Sequence, residues 1–303
     1  MSRTPVRYRS ADEDSGRWLG FPFRPGDIVI STRSKSGTTW MQMICALLIL
    51  QDPRLPAPLA HLSPWLDWLI MPRDEVYARL AAQAHRRFIK THTPLDGVPL
   101  DPRVTYVVVG RHPLDMAVSL YHQGANIDRE RLRLLTGQPA PEIPRPARRA
   151  PREWLLAWIE GDQDPRLELD SLPGVMHHLS DAWARRGEPN VVLAHYDALC
   201  ADLPGEMRSL ADRLDIAVPE ERWPELVRAA TFSAMRAAAG RASPDPAGIL
   251  KDHEAFFRRG TSGAGRDLLS EGEMARYRDR ARTLADPDML TWLHREGGRA
   301  PGA

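Results

Sequence analysis

The sequence DIVISTRSKSGTTW occupies residues 27–40 and carries the clearest structural signal in the chain. Its beginning, Asp27–Ser31, predicts a short buried strand, and a helix is predicted from Thr39 to Leu50. A turn of small residues lies between them. The backbone N–H groups of such a turn, the helix N-terminus and the ammonium of Lys35 can together hold an anion such as phosphate. The segment therefore predicts a strand, an anion-binding loop and a helix.

This loop differs from the phosphate loop of nucleoside triphosphatases. Lys35 precedes Gly37, and the first glycine of the Gly-x-x-x-x-Gly-Lys-Ser/Thr order is absent. Taken alone, a small-residue loop with one lysine also fits an ordinary strand-to-helix turn. The segment by itself leaves both interpretations open.

Further strands and helices alternate along the chain. The additional strands are predicted at Arg87–Thr91, Val104–Gly110 and Asn190–His195. Helices are expected at Leu114–Tyr121, opened by Pro113, and from Asp197 onward. Because strands alternate with helices, and one strand is uniformly apolar, we predict an α/β fold with a doubly wound, mainly parallel sheet.

Two stretches interrupt this pattern. Residues 124–152 are rich in proline and arginine and lack a hydrophobic period, which predicts a long loop or lid, with a disordered insertion as the alternative. Residues 240–265 are dense in glycine, proline and serine and predict a second such loop. We predict one domain over residues 1–303, with its core in residues 27–266.

The composition restricts the possible partners. A formal charge of +1, with 27% charged and 43% hydrophobic residues, indicates no bulk attraction to nucleic acid. The longest apolar run, Met41–Leu50, is about half the length of a membrane-spanning helix. We expect a cytoplasmic protein, because the N-terminus lacks an apolar signal segment. Cys45, Cys200 and the pair His177-His178 lack metal-ligand spacing, so no metal is predicted.

Lysine is rare in this chain. Of 41 basic residues only three are lysine, namely Lys35, Lys90 and Lys251, and the other 38 are arginine. Such a bias is expected of a high-GC genome, in which lysine persists where a compact point charge is needed rather than a planar fork. Lys35 and Lys90 are therefore candidates for specific chemical roles.

Lys35-Ser36-Gly37-Thr38-Thr39-Trp40, following a buried strand, resembles the 5′-phosphosulfate loop of the cytosolic sulfotransferases that use 3′-phosphoadenosine 5′-phosphosulfate (PAPS). Arg33-Ser34 replaces the Tyr-Pro of most members, which alters the turn. The resemblance implies the P-loop nucleotide-hydrolase-like sulfotransferase fold, PAPS as co-substrate and no metal. The arginine bias is similar to that of bacterial, particularly actinobacterial, members.

A second motif, residues 88–95, resembles the family's Lys-Thr/Ser-His-x-Pro segment. Positions i and i+2 of an extended chain share a face, so Lys90 and His92 should point into one cleft. The resemblance makes His92 the general base for an acceptor hydroxyl, and an imidazole titrating near neutral pH suits that task. Lys35 would stabilise the departing nucleotide oxygen, and Lys90 would stabilise the transferring sulfuryl oxygens.

Two later motifs resemble the family's site for a 3′-phosphate. Arg111 and Ser119 match its Arg-x-x-x-Asp-x-x-x-Ser element, although an ion pair with Asp115 is a competing role for Arg111. Arg258-Arg259-Gly260 is close to the Arg-Lys-Gly-x-x-Gly segment. The match then decays, since the family's Asp-Trp is Ala264-Gly265 here. The family's dimer element is not preserved either, so the oligomeric state is not predicted.

The weaker matches concern the purine and the acceptor. Trp40, Tyr196, Thr231 and Phe232 match positions that line the adenosine pocket, although each fits a core role equally well. The acceptor is expected to be a small-molecule or lipid alcohol, including phenols, sterols and glycolipids. Aromatic and apolar candidates for its pocket, or equally for the core, are Phe21, Phe23, Trp65, Trp68, Met71 and Tyr121. A nucleotide kinase on the same fold and a non-catalytic nucleotide-binding protein are the alternative functions.

Overall fold

The computed structural model describes residues 4–140 and 147–295, and its centre is a four-stranded sheet. The strands are β1 (Ile28–Ser31), β2 (Phe88–Thr91), β3 (Thr105–Gly110) and β4 (Val191–His195). All pairs are parallel, and the order across the sheet is β2-β1-β3-β4. The predicted α/β fold with a parallel sheet is confirmed, and each predicted strand lies within one residue of an observed one.

Helices cover both faces of this sheet. The α-helices of the described residues are α1 (Thr38–Leu50), α2 (Leu59–Leu62), α3 (Arg73–Ala82), α4 (Pro113–Asn126), α5 (Arg129–Leu135), α6 (Pro151–Glu160), α7 (Leu172–Ala184), α8 (Tyr196–Ala201), α9 (Leu203–Arg213), α10 (Trp223–Ala229), α11 (Phe232–Ala237), α12 (Ala239–Ala242), α13 (His253–Phe256), α14 (Glu271–Leu284) and α15 (Pro287–Leu293). Short 3₁₀-helices lie at Ser15–Trp18, Leu95–Gly97, Glu220–Arg222 and Arg266–Leu268.

Two hydrophobic cores form because successive strand side chains point to opposite faces of the sheet. Val29 of β1 packs in one core with residues of α4, α6, α7 and α14. Ile28 and Ile30, its neighbours, pack in the other core with residues of α1, α9 and α10. This burial on both faces explains why the strands are apolar at almost every position.

The predicted loop of residues 124–152 differs from the structure at three places. Helix α4 continues to Asn126, α5 occupies Arg129–Leu135, and α6 begins at Pro151. The carboxylate of Asp128 accepts a hydrogen bond from Arg131 N at 3.0 Å and caps α5, which is rich in arginine and leucine, both good helix formers. Residues 141–146 of the predicted loop lie outside the described residues.

The predicted loop of residues 240–265 is also partly helical. Helix α12 ends inside it at Ala242, and α13 begins at His253. Asp252 caps α13, since its carboxylate accepts from the backbone of Glu254 at 2.8 Å. This helix of four residues is too short to show a hydrophobic period, so its cap is its main local signal.

Among residues 4–140 and 147–295, none of the helices has the length and hydrophobicity required of a membrane span. In the same part of the chain, no cluster of three histidine, cysteine or acidic side chains is arranged to hold a metal ion.

Candidate active site

A deep cavity opens at the carboxyl ends of the three adjacent strands β2, β1 and β3. The loop after β1 contributes Lys35, the end of β2 contributes Lys90 and His92, and the end of β3 contributes Arg111. Parallel strands bring these ends to one edge of the sheet, where α/β folds bind ligands. The sheet therefore assembles in one place residues that are far apart in sequence.

The loop between β1 and α1 has an unusual backbone. Lys35 has a φ of 63° and Gly37 a φ of 104°, so two residues of the loop are left-handed. A side chain at Gly37 would place its Cβ 3.0 Å from the ring of Tyr196. A non-glycine residue held in this conformation costs about 1 kcal/mol or more, and such strain is commonly found at binding sites.

The side chain of Lys35 lies in the cavity wall against a ring and an amide. Its ammonium is 3.7 Å from the centroid of Phe256 and 3.4 Å from Gln123 Oε1. Burial, together with the charges of Arg111 and Lys90, lowers the pKa of Lys35 to about 7. A bound anion would oppose these effects and favour the charged form of Lys35.

Lys90 and His92 share a contact with Trp65. The Lys90 ammonium is 3.8 Å from the centroid of the Trp65 ring, and the His92 ring meets it edge-on with centroids 4.5 Å apart. Burial lowers the pKa of Lys90 to about 8, although the nearby carboxyls of Glu13 and Asp67 oppose that shift. Lys90 and His92 thus lie side by side, as their i, i+2 spacing predicted.

The hydrogen bonding of His92 defines its tautomer. His92 Nδ1 contacts the carbonyl oxygen of Thr32, and because a carbonyl only accepts, Nδ1 carries the proton. The lone pair therefore resides on Nε2. Burial, with the charges of Lys90 and Arg33, moves the pKa of His92 well below its ordinary value. His92 is consequently neutral at physiological pH and able to accept a proton.

A second group of cations lines the cavity next to Lys35, on the side of β3. Arg111 donates to Lys35 O at 2.8 Å, and its guanidinium lies 4.1 Å from the centroid of Tyr196. Arg258 and Arg259 line the cavity as well. The buried Nε atoms of Arg111 and Arg258 have no hydrogen-bond partner among the residues that the structure describes. Unsatisfied buried donors beside several positive charges are suited to a multiply charged anion.

Asp115 holds the backbone of the loop that follows Arg259. Its two carboxylate oxygens accept from Gly263 N and Gly265 N, each at 2.8 Å. Arg111 instead donates to the carbonyl oxygens of Lys35 and Thr261. Arg111 and Asp115 thus each bind backbone groups, in place of the ion pair considered for them.

The aromatic candidates divide between the cavity and the core. Trp40 meets Tyr196 edge-on with centroids 5.3 Å apart, and both line the cavity. Trp65 and Trp68 also line it, whereas Met71 lines a separate, smaller pocket. The other three acceptor candidates pack elsewhere: Phe21 and Phe23 with Trp18 in the core, and Tyr121 against Arg148 and Trp154.

All the predicted site residues except Ser36 and Thr231 line this cavity. Ser36 is buried in the turn, where its N–H donates to Arg33 O at 3.1 Å, and the Thr231 hydroxyl caps α11. Several other lining residues were not predicted from any sequence pattern. They are Asp12, Glu13, Gln123, Ile127, Leu132, Asp170, Pro244, Asp245, Ile249, Leu250 and Phe256.

Gly260 offers a test of how closely this cavity is built. Its φ is 68°, and a Cβ there would lie 2.4 Å from the Phe232 ring. Gly260→Ala is expected to weaken binding of 3′-phosphoadenosine 5′-phosphate (PAP) by about tenfold or more in calorimetry, because the ring must move. Gly137→Ala is the matched control, since Gly137 has a φ of 67° and no neighbour within 4 Å of its Cβ position. Equal PAP affinity in both variants would contradict the role of this contact.

Known proteins match this chain over most of its length. A family model described as the sulfotransferase domain matches residues 25–285. A glycolipid sulfotransferase from Mycobacterium bovis is 45% identical to this chain over 312 residues, covering 97% of this chain and 95% of that protein. A glycolipid sulfotransferase from Mycobacterium tuberculosis is 44% identical over 311 residues, with the same coverage of 97% and 95%.

Solved structures share the fold at lower identity. A retinol dehydratase in complex with retinol and PAP has a TM-score of 0.68 and 22% identity, covering 95% of this chain and 86% of that one. A mouse sulfotransferase complexed with PAP has a TM-score of 0.68 and 18% identity, covering 92% and 90%. At sequence identities this low, the structural similarity shows a shared fold only.

Proposed function

The chain belongs to the sulfotransferase domain family, and on that premise we propose that its cavity transfers a sulfuryl group from PAPS to a hydroxyl of a glycolipid or similar amphipathic alcohol. The observation that carries this proposal is the pairing of two chemistries in one cavity. Lys35, Arg111 and Arg258 supply positive charge at one end, and neutral His92 supplies a base at the other.

The residues present fit a nucleotide with two anionic groups. The left-handed loop at Lys35 is placed to hold the 5′-phosphosulfate of PAPS through backbone N–H groups and the lysine charge. The unsatisfied Nε atoms of Arg111 and Arg258 fit the 3′-phosphate. Tyr196 and Trp40 offer aromatic surface for the adenine.

His92 is the proposed general base. PAPS supplies the sulfuryl group, so that the acceptor oxygen bonds to sulfur as the bond from sulfur to the 5′-phosphate oxygen breaks. His92 Nε2 accepts the hydroxyl proton, because Nδ1 already donates to Thr32 O. The carbonyl of Thr32 thereby fixes the orientation of the ring as well as its tautomer.

The two lysines stabilise charge on opposite sides of the transfer. Lys35, next to Arg111 and the phosphate loop, is placed to stabilise the oxygen of the departing nucleotide. Lys90, beside His92 at the end of β2, is placed to stabilise the oxygens of the moving sulfuryl group. Preorganised charge of this kind is commonly the largest single contribution to catalysis.

Glycolipid as the acceptor class is supported by the relatives and by the lining. The two mycobacterial relatives are glycolipid sulfotransferases by name. The cavity also has an apolar wall made by Ile127, Leu132, Ile249 and Leu250. Such a wall would cover a hydrocarbon chain and keep water away from the reacting groups.

Transfer of radiolabelled sulfate from PAPS to octyl glucoside tests this function directly. Product formation that requires PAPS is the expected result. Calorimetry distinguishes a sulfotransferase from a nucleotide kinase, because a sulfotransferase should bind PAP without magnesium. Tighter, magnesium-dependent binding of ATP and no sulfate transfer to any glycoside, sterol or phenol would overturn the proposal.

The pH dependence of PAP binding follows from Lys35. Its pKa of about 7 in the free protein lies below its ordinary value, so Lys35 loses its charge as the pH rises through 7. PAP affinity is therefore expected to fall about tenfold from about pH 7 to about pH 8.5, with proton uptake on binding. Calorimetry in buffers of different ionisation enthalpy measures both effects. Lys35→Arg, which keeps its charge, should show a flat profile; a wild-type profile equally flat would contradict the assignment.

A further inference from the structure

The N-terminal segment forms one wall of the cavity close to His92. Glu13 pairs its backbone with Trp68 in an antiparallel bridge, and Leu69 N donates to Asp12 O at 2.8 Å. Both acidic side chains line the cavity, together with Asp170. These residues lie on the acceptor side, since Trp68 stacks on Trp65, which in turn contacts the His92 ring.

Two polar groups of this wall have no hydrogen-bond partner among the described residues. Asp170 pairs with Arg33 at 2.5 Å, but the Glu13 carboxyl has no hydrogen-bond or ion-pair partner among residues 4–140 and 147–295. Lys90 is only 5% exposed, and its ammonium contacts the Trp65 ring without a hydrogen-bond acceptor in that part of the chain. A buried cation and a carboxyl that both lack partners indicate a ligand with several hydrogen-bonding groups.

Trp68 provides an aromatic surface for a ligand beside these polar groups. Trp65 already contacts Trp68, Lys90 and His92. The Trp65 and Trp68 rings are 4.6 Å apart at an angle of 23°, so they form one flat stack. Trp68 lines the cavity, and its backbone pairs with that of Glu13. A flat apolar ring next to hydrogen-bonding groups is suited to a sugar, which has an apolar C–H face and a rim of hydroxyls.

We propose that Glu13 and Trp68 form a subsite for the neutral sugar ring of the acceptor, with Glu13 hydrogen-bonded to sugar hydroxyls and Trp68 against the C–H face. This assignment rests on the proposed sulfotransferase function and specifies its acceptor. Binding of the ring here would present one hydroxyl to His92 and direct the aglycone toward the apolar wall at Leu132 and Ile249.

The same wall disfavours other acceptors. A sterol or phenol covering Glu13 would bury its carboxyl without a hydrogen bond, which costs binding energy. Burial and the neighbouring Asp67, Asp170 and Asp12 raise the pKa of Glu13 to about 8, in spite of Arg33. Glu13 is then largely protonated at neutral pH, so a sugar that carries its own carboxylate would be opposed by the neighbouring Asp12 and Asp170 rather than by Glu13. The subsite therefore selects neutral sugars.

The test compares acceptors and variants in the full-length protein. Wild type should sulfate octyl glucoside with kcat/KM about tenfold or more above octyl glucuronide and 1-octanol. Glu13→Met should lower the octyl glucoside to 1-octanol ratio by about tenfold. Glu13→Gln, which still donates and accepts, should keep the ratio within about threefold of wild type. Asp14→Asn is the control, because Asp14 pairs with Arg7 outside the cavity lining.

The outcomes separate the subsite from the function. An unchanged glucoside to octanol ratio in Glu13→Met, with sulfate transfer and PAP affinity intact, would overturn the subsite and leave the sulfotransferase function standing. Preference of the wild type for the glucuronide or for 1-octanol would overturn it as well. If the wild type neither bound PAP nor transferred sulfate to any acceptor, the proposed function itself would be contradicted.

Discussion

Replacement of His92 with alanine is expected to lower kcat by about 10²- to 10⁴-fold while PAP affinity stays near that of wild type. The reason is geometric. In the proposed mechanism His92 lies on the acceptor side beside Lys90, and its Nε2 is the atom with a free lone pair. Single-turnover sulfate transfer measures the loss, and calorimetry with PAP measures the retained binding.

Two observations would strengthen or remove this role for His92. Added imidazole should restore part of the activity of His92→Ala, because a small base can occupy the space of the lost ring. In wild type, kcat should not fall near pH 6.5, since burial and the charges of Lys90 and Arg33 keep the pKa of His92 well below that value. Full turnover in His92→Ala would exclude His92 as the base.

Lys35→Ala is expected to lower kcat by about 10²- to 10³-fold, the usual effect of removing one preorganised charge. Alanine keeps the Cβ, so the left-handed backbone at this position is equally strained in both proteins. The loss should therefore reflect the ammonium rather than the loop. Rapid-quench measurement of sulfate transfer tests it.

Lys251→Ala provides the matched control for Lys35. Lys251 is the remaining lysine of the chain, is exposed, and donates to Ala125 O at 3.1 Å outside the cavity lining. Its removal should leave kcat and PAP affinity unchanged. Equal losses in both variants would show that general charge, and not the position of Lys35, matters.

The parts of the molecule that the sequence predicted depend on local patterns. The strand–loop–helix at Lys35 combines a buried strand, small residues and a helix start within fourteen positions. The i, i+2 relation of Lys90 and His92 needs only extended backbone. Arg111 follows an apolar strand whose carboxyl end had to meet the others at one sheet edge. These features required no knowledge of tertiary contacts.

The missed parts depend on contacts across long sequence distances. Glu13 reaches the cavity because its backbone pairs with Trp68, a partner that no local pattern identifies. Phe256 lies against Lys35, more than two hundred positions away in the chain. Helix α5 escaped notice because a helix of two turns is too short for a hydrophobic period, and its cap, Asp128, resembles any loop aspartate.

The order of the strands has a consequence for the path of the reaction. β2, β1 and β3 are neighbours spaced about 4.8 Å apart, and His92, Lys35 and Arg111, respectively, follow their carboxyl ends. In the proposed mechanism, acceptor, sulfur and nucleotide would then follow one another across the sheet, so the line of bond exchange runs perpendicular to the strands. The fixed spacing of the hydrogen-bonded strands would then set the distance between the sulfuryl donor and the acceptor.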